Sequence, residues 1–297
     1  MPALVALVLV TAVWGVTFVQ VKDAVAVYPL LAFLALRFAI ATATLAVPGA
    51  RRVRGLGRRG AAAAAVAGAL LAAGYVLQTL GLERTTVSSA GFVTGMYVVL
   101  TPLIAFALFR MRIARAAVAG VALSTAGLAM LAGVHGGSVS GDLLVLAAAA
   151  VYSLQIVLME GFVPRYDPLG FTLAEMTAAF ALLFVVAIPQ LEVPHGWTVW
   201  GALLVTGVFA SALGFFVQTW AQRRTSATRT ALVFALEPVW AAIFGFALAG
   251  DRLGPVGWAG CAVIMAGIVL AEPAAAGVLA RLVRRPLRAG WSCYKGA

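Results

Sequence analysis

Two stretches of this chain are copies of one another. Sliding Gly214–Ala271 back by 140 positions lays it on Gly74–Leu131 without a gap. Gly214 then falls on Gly74, Gln218 on Gln78, Thr219 on Thr79, and Arg224-Thr225 on Arg84-Thr85. Further along, Phe246-Ala247-Leu248 meets Phe106-Ala107-Leu108, Arg252 meets Arg112, Ala259-Gly260 meets Ala119-Gly120, and Ala266-Gly267 meets Ala126-Gly127. Any apolar-rich chain matches by chance at Ala and Leu; it rarely matches at Gln-Thr, Arg-Thr and a lone Arg in one register. An offset of 138 adds Trp14 on Tyr152, Thr17 on Gln155 and Arg37 on Glu175. The chain reads as an internal duplication, so its fold is two similar units.

The solvent of those units is lipid. Mean hydropathy is +1.04, and only 10% of residues are charged, against about 25% in an average soluble protein. A hydrocarbon core of roughly 30 Å takes about 20 apolar residues per helix. Ten runs approach that length: Leu4–Val21, Pro29–Val47, Ala61–Leu80, Val87–Phe109, Ala116–Gly133, Leu143–Glu160, Pro168–Ile188, Trp197–Trp220, Thr228–Ala249 and Pro255–Ala271. Lipid offers no partner to an open backbone, so these predict an all-α membrane protein with ten transmembrane helices. The first run lacks a basic start and a small-residue cleavage site, and a second span follows at once, so it reads as a retained helix.

Several function classes drop out. The net charge of +11 comes from short clusters between apolar runs, with no basic face to track nucleic acid. Cys261 and Cys293 form no framework, and His135 and His195 lie in loops, so neither a disulfide nor a metal site is predicted. There is no GxxxxGK[ST], HExxH or GxSxG, which argues against ATP use, against an enzyme, and for no cofactor.

Cations set the orientation. With the N-terminus in the cytoplasm, seventeen Lys and Arg fall inside and three, Lys22, Arg84 and Arg252, outside. Both termini are therefore expected in the cytoplasm. Each half carries five spans, and five is odd, so the halves insert with opposite orientation. The loop Arg51–Arg59 carries five Arg while its counterpart Gln190–Gly196 carries no Lys or Arg, which would drive that inversion. The reading is two inverted five-helix repeats, residues 1–137 and 138–273, with a basic tail at 274–297 that touches anionic lipid headgroups or is disordered.

Specific strings now matter: VWGVTF at Val13–Phe18, ALRF at Ala35–Phe38, AGFVTGMYVVLTP at Ala90–Pro102, ALEPVWAAIFG at Ala235–Gly245, and DRLGPVGWAGCAVIMAGIVLAE at Asp251–Glu272. Together they resemble the EamA family of the drug/metabolite transporter superfamily over all but the tail. The resemblance implies a secondary transporter of small metabolites, often an exporter of amino acids and related compounds, with a central cavity between the halves. Arg-biased, Ala-rich composition points to a bacterial chain, hence the inner (plasma) membrane. An importer, a nucleotide-sugar-like carrier and a lipid-modifying membrane enzyme are the alternatives; the last would want clustered acids or His at headgroup depth.

Among residues that could bear chemistry, Glu237-Pro238 sits in the middle of the ninth span. A carboxylate there is costly, by roughly 2.5–3.5 kcal/mol on insertion scales, so it should face a cavity or the bundle interior. It is either a substrate- or proton-binding group at a hinge, or a structural carboxylate that caps a helix or pairs with Arg. Pro238 and Pro102 are the hinge candidates, since each proline frees a carbonyl one turn earlier. Tyr97 takes the place of Glu237 in the other half. Arg37 and Glu175 are expected to form an ion pair, directly or through Glu237, as a static lock or a moving switch. The family resemblance implies Gln more often at the Glu175 position, which makes this carboxylate a departure. Gln78 and Gln218 offer amides to a polar solute or to interhelical bonds. Trp14 and Tyr152 wall a cavity or simply pack. The expected substrate-binding set is Trp14, Gln78, Tyr97, Tyr152, Gln218 and Glu237. Trp197, Trp200 and Trp220 read as interfacial anchors. Gly91 and Gly95 make a GxxxG, and Gly120, Gly127, Gly260 and Gly267 make spans five and ten braces or a homodimer face.

Overall fold

The structure, a computed structural model, describes residues 2–110, 115–132, 138–248 and 254–271. Arg112, Arg252, His135, Asp251, Cys293 and the whole 274–297 tail lie outside the described residues. Within them the chain is helical throughout. The helices are α1 (Pro2–Val25), α2 (Leu30–Val53), α3 (Gly57–Arg84), α4 (Val87–Thr94), α5 (Tyr97–Phe109), α6 (Arg115–Ala132), α7 (Val139–Phe162), α8 (Pro168–Ala187), α9 (Trp197–Leu204), α10 (Gly214–Gln222), α11 (Ala227–Phe234), α12 (Leu236–Leu248) and α13 (Pro255–Ala271). A π-helical segment, Val205–Leu213, joins α9 to α10.

Seven stretches are long and apolar enough to cross a membrane, among the described residues. Three differences separate this from the ten expected runs. Leu30–Arg84 is a single apolar stretch of 55 residues; at 1.5 Å per residue it would run far past a bilayer core of about 30 Å. The chain breaks it with a 3₁₀ turn at Arg54–Leu56 and with Gly57, whose φ of +63° and ψ of −178° only glycine adopts at ease. The fifth and tenth runs form shorter apolar helices, Val118–Gly127 and Pro255–Gly267. Large apolar side chains such as Val47, Phe106, Leu108 and Val185 are exposed on the outer surface. That is what a lipid-facing rim looks like, and water would not tolerate it.

The duplication is visible in how helices meet. Where two helices approach closely, glycine removes the side chain that would collide, and the same contact occurs twice. A Cβ on Gly127 of α6 would lie 2.6 Å from the Gly260 carbonyl oxygen of α13, and one on Gly267 of α13 would lie 2.7 Å from the Gly120 oxygen of α6. Gly74 faces the Tyr152 ring, and its copy Gly214 faces the Trp14 indole nitrogen. Gly68 abuts the carbonyl of Glu175, and Gly207 that of Arg37. The small faces of α6 and α13 are thus spent on each other within one chain, which is the bracing role; a homodimer would have to use other surfaces.

Short corners repeat as well. Thr86 accepts a hydrogen bond from the Ser89 N–H at the start of α4, and Ser226 accepts one from the Arg229 N–H at the start of α11, 140 residues later. These side-chain caps satisfy amides that a helix start leaves open. Asp167 does the same for α8 through Leu169 and Gly170, and also pairs with Arg52 at 2.8 Å.

Candidate functional site

The fourth and ninth expected spans are each broken in the middle, at equivalent positions. α4 gives way to α5 at Gly95–Met96, and α11 to α12 at Ala235. Neither break falls on a proline. Pro102 lies inside α5, well after the break, and Pro238 sits three residues beyond Ala235. The interruptions fall on the duplicated pair Gly95/Ala235, and the two prolines are not equivalents of each other. Pro238 still has an effect. Its missing N–H leaves the carbonyl four residues earlier, at Phe234, without its helical donor.

That carbonyl is taken up by the other half. The Tyr97 hydroxyl lies 2.6 Å from Phe234 O and 2.9 Å from Glu237 Oε2. A tyrosine hydroxyl has one proton, and a carbonyl can only accept. The hydroxyl proton lies within reach of both acceptors, so Tyr97 donates to the Phe234 carbonyl and to the Glu237 carboxyl in a shared hydrogen bond. The residue expected as a copy of Glu237 is thus its direct partner.

A cavity lined by both halves adjoins this contact. The structure brings all six of the expected residues, Trp14, Gln78, Tyr97, Tyr152, Gln218 and Glu237, to its wall, together with Arg37. α1 to α5 of the first half and α7, α10, α11 and α12 of the second all contribute. Trp14 is held by its indole N–H on Ala210 O, a carbonyl of the π-helical segment, at 2.9 Å. Its ring lies edge-on to Phe234, with centroids 4.8 Å apart, and tilted against Phe215. Tyr152 donates to Gln78 Oε1 at 3.2 Å, and Gln78 donates to Thr94. Trp197 is 78% exposed and Trp200 partly so, both away from the cavity. Trp220 is half-buried beneath the Arg224 guanidinium.

The expected ion pair is absent. Arg37 has no carboxylate within salt-bridge distance among the described residues, whereas Arg52 pairs with Asp167. Arg37 Nε donates instead to Ser211 Oγ at 2.8 Å, and Nη2 to the Tyr75 hydroxyl at 3.0 Å. Glu175 is fully buried and takes its hydrogen bond from Gln155 Nε2 at 2.9 Å. Neutral groups serve both instead: hydroxyls accept from Arg37, and the Gln155 amide donates to Glu175. Gln155 in turn accepts from Gln218 at 3.0 Å, Gln218 donates also to Gln222, and Gln222 donates to Ile156 O. This buried amide chain connects the cavity wall to Glu175. Gln155 was visible in sequence only as the partner of Thr17 in the 138-residue offset; nothing marked Ser211 or the π-helical segment.

A lipid-embedded helical body, built twice over and closed around one partly polar cavity, is the build of a membrane transporter. A profile of the EamA-like transporter family matches residues 1–133 and 139–272. An uncharacterized transporter of Archaeoglobus fulgidus is 30% identical over 269 residues, 89% of this chain and 83% of its own length. The uncharacterized transporter YyaM of Bacillus subtilis is 24% identical over 208 residues, 65% of this chain and 67% of its own. A solved crystal structure superposes with a TM-score of 0.75 at 20% identity, over 93% of this chain and 99% of that one; at that identity the likeness is one of fold. The chain belongs to the EamA-like transporter family, and it is a multi-pass membrane transporter.

Proposed function

We propose that the protein exports small metabolites such as amino acids across a bacterial inner membrane by alternating access, as a secondary transporter. In this reading the chain crosses ten times, with both termini in the cytoplasm. Residues 1–137 and 138–273 are inverted repeats that rock around the cavity, and 274–297 is a cytoplasmic tail. The observation that carries the reading is the shared wall: Trp14, Gln78 and Tyr97 from one half face Tyr152, Gln218 and Glu237 from the other across one cavity. A site built half from each repeat is the place where relative motion of the repeats changes access. The reciprocal glycine contacts support the same reading, because they relate the halves by exchange. Glu237 is the proposed proton-coupling group, since it is a buried carboxyl on the cavity wall.

Reconstituted liposomes preloaded with single amino acids test this. Wild-type protein should give counterflow of labelled amino acid that empty liposomes lack, and an imposed pH gradient should bias it. Glu237→Gln should keep counterflow and lose the response to the gradient. No counterflow by folded protein with any amino acid would sink the assignment of substrate.

A further inference from the structure

Arg37 is the feature of the cavity that the transport reading leaves without a task. It is 3% exposed, at a depth where a charge is normally balanced by a carboxylate. Both of its hydrogen-bond partners, Ser211 and Tyr75, are neutral hydroxyls. The Tyr75 ring also lies beneath the guanidinium, 4.3 Å from Cζ to the ring centroid. A guanidinium has five N–H groups in a planar fork. Two of them are spent here, and Nη1 makes no hydrogen bond among the described residues, although Arg37 lines the cavity.

The two candidate counter-ions are engaged elsewhere. Glu175 is held by Gln155 and is not on the cavity wall. Glu237 is on the wall, but it takes its hydrogen bond from Tyr97 and makes no salt bridge to Arg37. The Arg37 charge therefore has no carboxylate in direct contact among the described residues. That charge is rigidly mounted, since Ser211 in the π-helical segment and Tyr75 in α3 fix the fork from two sides. A mounted fork with free N–H groups matches a bidentate carboxylate.

Resting on the transport reading above, we propose that Arg37 is the subsite for the carboxylate of the transported solute. Among the described residues Arg37 is the single Lys or Arg on the cavity wall, which suits a monoanionic carboxylate better than a dianionic phosphate. Trp14, Phe215 and Phe234 receive the apolar part of the solute, and Gln78 and Gln218 receive a second polar group. The ion pair missing from the protein is completed by its cargo.

The test uses full-length protein and matched probes. Glycine, alanine, leucine, phenylalanine, threonine and glutamine are each compared with the corresponding amide and the corresponding decarboxylated amine. Binding is read as ligand-dependent shift of the melting temperature in detergent, and movement as counterflow in liposomes. The acids that bind should do so in preference to their amides and amines. Arg37→Gln should erase that preference by weakening acid binding about 10- to 100-fold, the worth of a charge-assisted hydrogen bond. Arg37→Lys keeps the cation and guards against a folding failure; it should still prefer acids, with weaker binding. Amides or amines bound as well as acids by the wild type would overturn the subsite, as would acid binding unchanged in folded Arg37→Gln. The subsite also falls if no acid binds. Counterflow of amides or amines alone would overturn the subsite while leaving transport intact, whereas no counterflow of any probe would remove the transport reading itself.

Discussion

Tyr97 has one proton and two oxygen neighbours from the opposite half, and that shortage makes it testable. Removing the hydroxyl in Tyr97→Phe leaves Phe234 O without a donor, a loss of about 1–3 kcal/mol for a buried unsatisfied group. Pro238→Ala returns an N–H at the position that would normally serve this carbonyl. The double variant should therefore melt closer to wild type than Tyr97→Phe alone; equal or worse stability would mean that Phe234 O does not depend on Tyr97. Glu175 carries the opposite expectation from the ion-pair reading. Its Oε1 needs only a donor from Gln155, and Oε2 already lacks a partner. Glu175→Gln preserves the acceptor and leaves one group unsatisfied as before, so its stability should stay within about 1 kcal/mol of wild type. A loss of about 3–5 kcal/mol, the signature of a broken buried pair, would contradict the observed partners. Why this was illegible in the chain is plain. Arg37 meets Ser211 across 174 residues of sequence, and no local period reports which of several distant polar groups will win a buried cation.

Helices carry the duplication, and their contacts repeat with it. α6 and α13 touch through Gly127 against the Gly260 carbonyl and Gly267 against the Gly120 carbonyl. Gly267→Val places a branched side chain on backbone that cannot yield, with overpacking of about 1–3 kcal/mol. Gly161, where a Cβ would meet nothing, should accept alanine with little change in melting temperature; equal effects at both sites would contradict the close approach. The start of α8 gives a pH test. Burial alone would raise the Asp167 carboxyl, but the Gly170 amide, Arg52 and the Leu169 amide outweigh it and hold it below its ordinary 3.8. A carboxyl lowered in the folded state contributes stability above 3.8 and loses it as pH falls through the folded value. Asp167→Ala should therefore lose roughly 0.5–2 kcal/mol at neutral pH, and the gap to wild type should narrow on acidification below 3.8. A pH-independent gap would separate the cap from its charge. These elements were legible in part: the apolar runs, the Gly pairs and the Arg-Thr corners stand out in the sequence. The mid-span breaks do not, because Gly95 and Ala235 interrupt helices without any local signal shared by both.

The molecule as a whole is two copies of one unit joined around a cavity to which both contribute. All six expected wall residues were legible because duplication and polarity in an apolar setting single out the same positions. The additional wall residue Phe234 becomes visible only once the halves are packed. The wall extends from Trp14 along α1 to Val21 and along α3 to Leu82, close to the ends of both helices. The buried amide chain of Gln155, Gln218 and Gln222 lies along α7 and α10. Rocking of one half against the other would open and close these two ends in turn. A cysteine at Thr17, on the cavity wall, reads this out in a background with Cys261 and Cys293 replaced by alanine. A charged, membrane-impermeant thiol reagent is applied from outside to intact cells and from the cytoplasmic side to inverted vesicles, with and without a transported solute. Alternating access predicts modification from both sides, slowed on both when solute is bound. Modification from one side only, under every condition, would contradict it.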